Sequence, residues 1–429
     1  MYLLYSALLA SALAVGSPYW LFQMLRRGKY RRGLGERLGI VPQRIRRNRQ
    51  PAIWVHAVSV GEVLAVSELI ERLGCEYPEH RIVISTTTDT GRKLAAGRFG
   101  AERVFYFPFD FKHSLTPYFD ALKPQLVVLA ETEFWPNFLR MAKQRGARVA
   151  VVNARISNRS FPGYRRWRRF LARILACVDL LLAQTAEDAR RLIAIGAPAG
   201  RVLVGGNLKF DVPLAPAAAI VDQLRSALRA SGPVVVCGST VEGEETLLLD
   251  SFRAIRSAHP RAALLLAPRH PERFPAVREL LERSGIAFSL RSRWKGEALA
   301  GGALLIDSIG ELAGLYALAD VAFVGGSLVP RGGHSILEPA RYGAAIVVGP
   351  HTENFRDIVE LFESRQAVRV ADARSLTDAL LELAGDENAR RALGRRALKT
   401  LESQQGATRF TVEKLGELLG GNLRGEHTA

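Results

Sequence analysis

Two stretches of this sequence set ionisable side chains where a chemical step could use them. In Trp54-Val-His56-Ala-Val-Ser59-Val-Gly61-Glu62 an apolar run passes into a helical pattern, with Ser59 and Glu62 three residues apart. That is the spacing of a capping box, in which serine and glutamate satisfy the free N–H groups of a helix start. The same place suits a general base. Backbone N–H groups and the helix dipole should keep Glu62 ionised, and an ionised carboxylate takes a proton from an attacking hydroxyl. The second stretch, Glu131-Thr-Glu133-Phe-Trp135-Pro-Asn137, carries two carboxylates just beyond an apolar run. With no third ligand they make a poor metal site. Polar contacts to a sugar or acceptor, or an ordinary charge pair at a helix start, are the better readings. Asn153-Ala-Arg155-Ile-Ser157 and Gly206-Asn207-Leu-Lys209-Phe-Asp211 also follow apolar runs, and Lys209 is placed to meet a negative group.

The second half offers an anion site. Ala267-Pro268-Arg269-His270-Pro271-Glu272-Arg273 supplies three potential cations, and arginine pairs with phosphate through two parallel donors. Val324-Gly325-Gly326-Ser327 ends another run, and Gly332-Gly333-His334-Ser335-Ile336-Leu337-Glu338-Pro339 opens a helix. Glycines let a ligand approach the backbone, and free N–H groups at a helix start bind phosphate. Glu338, one turn in, can accept hydrogen bonds from ribose hydroxyls. Two apparent phosphate loops fail. Gly33-Leu-Gly35-Glu-Arg-Leu-Gly39 follows no strand, and Gly238-Ser-Thr-Val-Glu-Gly243-Glu244 has glutamate where the phosphate-binding lysine belongs. Hydride transfer and ATP hydrolysis lose their main support. His56, His270, His334 and His351 show no metal-ligand spacing.

These residues need elements to hold them. Ile53–Val58, Arg81–Thr86, Val104–Phe107, Gln125–Ala130, Arg148–Val152, Leu180–Ala183 and Val202–Val204 are apolar and not alternating, as strands buried on both faces of a parallel sheet should be. Amphipathic stretches such as Val63–Leu73 and Ala186–Ile195 separate them. After a proline- and alanine-rich connection over 211–232, the rhythm restarts at Val234–Cys237, Ala263–Leu266, Leu304–Ile306, Val321–Val324 and Ile346–Val348. The expected fold is α/β, with two doubly wound domains facing a cleft and ligands beyond the carboxyl ends of the strands. The domains are 50–210 and 233–429.

Composition narrows the setting. A chain of 429 residues, 48% hydrophobic, is a folded protein of more than one domain. Its three cysteines, Cys75, Cys177 and Cys237, form no disulfide framework and suit a reducing compartment. The net charge of +17 is local: ten basic residues between Arg26 and Arg49 face only Glu36, and a second acid-free run from Arg159 to Arg173 holds six arginines around Trp167 and Phe170. Residues 1–25 contain no charged side chain. About 20 helical residues cross a hydrocarbon core, so this segment is an N-terminal membrane anchor by length. A signal peptide would begin with basic residues; here the charges follow, which puts the C-terminal side in the cytoplasm. Pro18 keeps a shallow insertion in play. The segment 26–49 is then a basic membrane-proximal stretch. The basic runs carry no nucleic-acid reading motif, so nucleic acid is not an expected partner.

Taken together, these motifs resemble the 3-deoxy-D-manno-octulosonic acid (Kdo) transferase family. The carrying residues are Val58-Ser-Val-Gly-Glu62, Glu131-Thr-Glu-Phe-Trp-Pro-Asn137, Asn153-Ala-Arg-Ile-Ser157, Gly206-Asn-Leu-Lys-Phe-Asp211, Pro268-Arg-His-Pro-Glu-Arg273, Gly325-Gly-Ser-Leu-Val-Pro330, Gly332-Gly-His-Ser-Ile-Leu-Glu-Pro339 and Gly349-Pro-His-Thr-Glu-Asn-Phe355. The resemblance implies a GT-B architecture of two Rossmann-like domains. It also implies an inverting, metal-independent glycosyltransferase that moves Kdo from CMP-Kdo to the lipid A precursor in lipopolysaccharide core biosynthesis. By resemblance Glu62 matches the general base, and Glu131 and Lys209 match transition-state stabilisers. Pro268-Arg269, Ile309-Gly310-Glu311 and Ser335 to Glu338 match the CMP contacts, and His270, Gly326 and Ser327 fall in the same set. Arg155, Arg165, Arg166, Arg168 and Arg169 are the expected contacts to a phosphorylated lipid acceptor at an anionic inner membrane. No cofactor and no metal are implied. The chain departs from the family pattern at Ser335, where asparagine is usual, and at Val241, where histidine is usual. A UDP-sugar transferase acting on lipid, or a membrane-tethered glycolipid-binding protein, are the alternatives.

Overall fold

The computed structural model describes residues 2–27, 33–46, 50–213 and 220–423. They form two compact units. The first runs to Val212 and takes up the chain again from Gln404; the second is Pro213–Ser403.

The first unit is built on a seven-stranded parallel sheet: β1 (Ala52–His56), β2 (Arg81–Thr86), β3 (Val104–Tyr106), β4 (Pro124–Ala130), β5 (Arg148–Ala154), β6 (Leu180–Ala183) and β7 (Val202–Val204), in the order β3-β2-β1-β4-β5-β6-β7. The inner strands are buried at almost every position because helices cover both faces. One face is ordered around Trp54. Its fully buried ring has the rings of Phe105, Phe107, Tyr118, Phe119 and Phe138 at centroid distances of 4.8–6.3 Å, and its Nε1 donates to Ser85 Oγ at 2.8 Å. Order reverses between β1 and β4, so the loops after these two strands diverge to opposite faces, leaving room beyond their carboxyl ends. Glu62 and Glu131 follow those strands. The amphipathic stretch expected over Val63–Leu73 is two helices, Val60–Ala65 and Ser67–Glu76. The break comes at Val66, beside Ser67, whose hydroxyl donates to the Val63 carbonyl at 2.7 Å.

The second unit repeats the plan with β8 (Val234–Thr240), β9 (Ala263–Pro268), β10 (Phe288–Leu290), β11 (Ala303–Leu305), β12 (Val321–Val324), β13 (Ala345–Val348) and β14 (Arg369–Val370), ordered β10-β11-β9-β8-β12-β13-β14 and all parallel. β10 and β14 are the additions to the expected set. Both are short edge strands, Phe-Ser-Leu and Arg-Val, without an apolar run long enough to mark them.

The second domain was expected to continue to the last residue. Instead the helix Ala407–Leu423 packs on the first sheet, where Val412, Leu415 and Leu419 share a core with Val63, Leu69 and Val128. Asp211 fixes its start, accepting from Gly406 N at 2.8 Å and Thr408 N at 2.5 Å. Within the expected connection, 214–219 lie outside the described residues, and Ile220–Ala227 is a helix in the core of the second unit. Lys29, Arg31, Arg32, Arg47 and Arg49 of the basic segment also lie outside them. Part of that segment serves the fold: Arg44 pairs with Glu36 at 2.8 Å, and Arg37 sits over the Tyr106 ring at 4.6 Å.

Candidate functional site

Glu62 lies in the first turn of the helix Val60–Ala65, capped by Ser59. The box forms as its spacing requires: Ser59 Oγ donates to Glu62 Oε1 at 3.0 Å and accepts from Glu62 N at 3.4 Å. The other carboxylate oxygen reaches back to Val58 N at 2.8 Å. Only 8% of the residue is exposed. Burial raises its pKa to about 7, with the charges of Glu131 and Glu133 adding to the rise and the Val58 and Ser59 bonds opposing it. The expectation that backbone N–H groups and the helix dipole hold Glu62 fully ionised is corrected: desolvation and two neighbouring carboxylates outweigh them. His56, at the end of β1, is a structural group. It is fully buried, stacks on Phe107 at 4.0 Å, bonds Ser85 through Nδ1, and is pushed by burial down to about 3.

Glu131 follows β4 with a left-handed backbone, φ 56°, and its N–H donates to Val152 O at 2.9 Å. Such a conformation costs about 1 kcal/mol or more in a non-glycine residue and is concentrated at functional sites. It sets the Glu131 carboxylate 3.7 Å from Lys209 Nζ. Glu133 is raised by burial, with the Glu131 charge adding and the nearby Trp135 side chain opposing. Lys209 stands on the short turn Leu208–Asp211, and Asn153 holds that turn: its Oδ1 accepts from Leu208 N at 3.0 Å. Asn153 is itself left-handed, φ 55°. Thus Glu62, Glu131, Glu133 and Lys209, far apart in sequence, share one end of the first sheet.

Arg165, Arg166, Arg168 and Arg169 are exposed on the helices Phe161–Arg166 and Arg168–Leu175, flanking Trp167, while Leu171, Ile174 and Leu175 are buried beneath. The Glu133 charge helps raise the Tyr164 hydroxyl pKa, after burial, so this basic surface adjoins the carboxylates. Arg155 is half-buried after β5.

In the second unit Pro268 closes β9, leaving Arg269 and His270 exposed. Arg273 points away, at 3.2 Å from Glu245 and 3.6 Å from Glu242, so its charge is already matched. Burial lowers His334 to about 4, with Arg269 and His270 contributing, so near neutral pH its ring is uncharged. Glu338 keeps part of its surface in water, while the protein packed around its carboxyl raises it by desolvation, against the pull of Arg269 and Arg341. Arg269, His270, His334 and Glu338 therefore converge. Ile336 and Leu337 bury their side chains, and Ser335 Oγ accepts from Leu337 N at 3.4 Å. Ile309 is exposed, Gly310 has φ 95°, and Glu311 is bonded by Arg291 at 2.7 Å and by the Ser308 hydroxyl.

Sequence reasoning missed Glu244, dismissed with the false phosphate loop. Fully buried, its carboxylate accepts from Val241 N at 3.0 Å, Gly326 N at 2.8 Å, and Ser327 N and Leu328 N at 2.9 Å each. It fixes the Gly325-Gly326-Ser327 turn from behind. A Cβ at Gly325 would lie 2.5 Å from Ser239 O, so only glycine fits. Ser327 is also buried; its hydroxyl donates to Val324 O and accepts from Gly349 N. Val241 contributes its N–H to Glu244 and buries its side chain. The signal was a glutamate at a strand-to-helix turn rich in unpaired N–H groups. Among the described residues no three His, Cys, Asp or Glu side chains gather as a metal site needs.

A family model described as 3-deoxy-D-manno-octulosonic-acid transferase (kdotransferase) matches residues 32–212. The chain is 33% identical to a 3-deoxy-D-manno-octulosonic acid transferase of Haemophilus influenzae, covering 92% of this chain and 93% of the relative. It is 35% identical to one from Bordetella pertussis, covering 94% and 96%. Among solved structures, UDP-GlcNAc 2-epimerase from Neisseria meningitidis bound to UDP-GlcNAc shares the fold at TM-score 0.60 and 13% identity, over 85% of this chain and 100% of that one.

Proposed function

This chain belongs to the 3-deoxy-D-manno-octulosonic acid (Kdo) transferase family and is a glycosyltransferase of the GT-B type; from that premise we propose that it moves Kdo from CMP-Kdo to a hydroxyl of the lipid A precursor, with inversion and without a metal ion. The domains that do so are a first unit that binds acceptor and a second that binds the CMP moiety. The observation that carries the reading is the buried Glu62 carboxyl, both of its oxygens fixed by Val58 N and Ser59 Oγ, at the sheet end that also holds the Glu131–Lys209 pair.

A base works best when its pKa lies near the working pH, where it is ionised yet still basic. As the acceptor oxygen attacks the reacting carbon of Kdo, Glu62 takes the hydroxyl proton while the bond from that carbon to the CMP phosphate breaks. The electron pair of that bond leaves with the phosphate. Arg269 and His270 supply positive charge to the departing phosphate, the backbone N–H groups around Ser335–Leu337 supply donors, and Glu338 suits ribose hydroxyls. Lys209, held beside Glu131, offers a cation to the carboxylate and leaving oxygen of the sugar. A monophosphate carries less charge than a diphosphate, so these groups suffice. Arg155 and the exposed Arg165, Arg166, Arg168 and Arg169 suit the phosphates of the acceptor and an anionic membrane, at about 1 kcal/mol for each basic residue near the surface. The enzyme works at the inner membrane, on its cytoplasmic side.

The test is mass spectrometry of purified enzyme with CMP-Kdo and lipid A precursor, with and without EDTA. Kdo added to the lipid in both conditions, with protection of the enzyme by CMP but not by UDP, is expected. Turnover that EDTA abolishes, or protection by UDP alone, overturns the reading.

A further inference from the structure

The helix Tyr2–Arg27 is the one helix among the described residues long and apolar enough to cross a membrane. How it meets the rest of its unit decides whether it does so. Its partly buried positions are 2, 5, 6, 9, 13, 16, 17 and 24, and the other described side chains along it are exposed. At about 100° per residue these positions fall on one stripe, so one face follows the protein for most of the helix. The first turn is bonded, not merely adjacent. Asn137 Nδ2 donates to Ser6 Oγ at 3.0 Å, the Arg140 guanidinium lies 4.5 Å over the Tyr2 ring, and the Tyr5 hydroxyl pKa is raised by burial and by the charge of the nearby Asp110. Asp110 is itself 2% exposed and accepts from Asn137 N and Phe138 N. At the other end, Glu36 accepts from Tyr106 N at 2.7 Å soon after the helix stops.

We propose that this helix lies along the membrane surface within one leaflet and does not span the bilayer; the proposal rests on the membrane association given above. A helix of 26 residues is about 39 Å long, and a spanning one would carry its first turn across a core of about 30 Å. Asp110, Asn137 and Arg140 would then have to reach the far side with it, although they belong to the body that holds Glu36. The first turn is bonded to this unit, and Glu36, nine residues beyond Arg27, belongs to it as well, so the chain enters and leaves the helix on one side. The outward face fits a leaflet: Leu3 is 88% exposed and Val15 83%, joined by Leu4, Leu8, Tyr19 and Phe22, with no charge before Arg26. Interfacial helices need a polar face opposite the apolar one. Here the protein occupies that side, where Tyr2, Tyr5, Ser6 and Ser17 all point.

The full chain tests this in membranes of a Gram-negative host. Leu3→Cys is probed with a membrane-impermeant maleimide in intact spheroplasts and after lysis, alongside Ser6→Cys/Asn137→Cys under mild oxidation. Loss of labelling at position 3 in spheroplasts, its return on lysis, and a cross-link between positions 6 and 137 are expected. Labelling of position 3 in intact spheroplasts, with the protein still in the membrane fraction, overturns the surface placement and leaves the transferase reading standing. Failure of the cross-link in a chain that retains transferase activity overturns it as well. A chain that sediments as a soluble dimer, with this face covered by a second copy, overturns both the placement and the membrane association.

Discussion

Replacing Glu62 by glutamine separates two roles whose effects on stability have opposite signs. Glutamine keeps the shape and one oxygen acceptor for Val58 N–H, and its amide can donate to Ser59 Oγ. If the carboxylate served chiefly as a cap, the change would lose about 0.5–2 kcal/mol, as capping substitutions do. The pKa argues otherwise. A rise from 4.5 to about 7 means that the fold prefers the protonated form, and at about 1.4 kcal/mol per tenfold step the penalty for the ionised form is about 3 kcal/mol or slightly more. The sign follows from linkage. A carboxyl whose folded pKa exceeds its unfolded value costs nothing below about pH 4.5, costs more as pH rises, and reaches its full cost above about pH 7. Glutamine never ionises, so Glu62→Gln should be close to wild type in stability near pH 4.5, about 1 kcal/mol more stable at pH 5, and about 3 at pH 8. Four of the five tryptophans, Trp20, Trp54, Trp135 and Trp167, precede Val212, so urea denaturation followed by tryptophan fluorescence reports chiefly on the first unit. The same variant should lose Kdo transfer at every pH, while wild-type kcat climbs through about pH 7. A stability difference that is flat with pH, or a variant less stable than wild type at pH 8, refutes the reasoning.

Other outcomes follow from the same geometry. Glu244→Ala leaves four buried N–H donors without an acceptor; at about 1–3 kcal/mol for each, the denaturation midpoint of the second unit should fall sharply and the KM for donor should rise in whatever protein remains folded. Lys209→Met removes an ion pair at 3.7 Å between partly exposed groups, so stability should change by less than about 1 kcal/mol while kcat drops. Asn153→Ala deletes the acceptor for Leu208 N and leaves alanine at φ 55°, which should cost about 1–3 kcal/mol and lower kcat. Asn153→Asp, which keeps the acceptor, should recover most of the stability by the same denaturation assay.

Much of this architecture can be read from the sequence because central parallel strands advertise themselves. Ile53, Trp54 and Val55, or Val127, Val128 and Leu129, are apolar at consecutive positions in short runs bounded by polar or turn residues. The edge strands Phe288–Leu290 and Arg369–Val370 lack it, since half their surroundings is water. That the last helix belongs to the first unit was not legible. Its attachment depends on Asp211 meeting Gly406 and Thr408 across nearly two hundred residues, a contact without local signature. The site divides the same way. Spacing pointed to Glu62 and to the capping box together; only burial and the approach of Glu131 and Glu133 gave the direction of its pKa. Glu244 was visible yet misjudged, because its partners at Gly326, Ser327 and Leu328 lie on another strand-to-helix turn.

Capping and proton transfer are not rivals at Glu62, because each supplies what the other lacks. A carboxylate sunk in apolar surroundings with two acidic neighbours would, without hydrogen bonds, stay protonated well above neutral pH and be useless as a base. A carboxylate fixed only by Ser59 and Val58 at an open helix start would ionise below its ordinary value of 4.5 and be too weak a base to help an alcohol. The N–H of Val58 and the hydroxyl of Ser59 pull the pKa down while burial and Glu131 push it up, and the balance falls at about 7. The same two contacts lock both oxygens in place. Removing the Ser59 hydroxyl, as in Ser59→Ala, therefore shifts the titration upward as well as loosening the helix start. That variant should show its activity limb displaced to higher pH with a recoverable plateau, a pattern that loss of a purely structural cap does not produce.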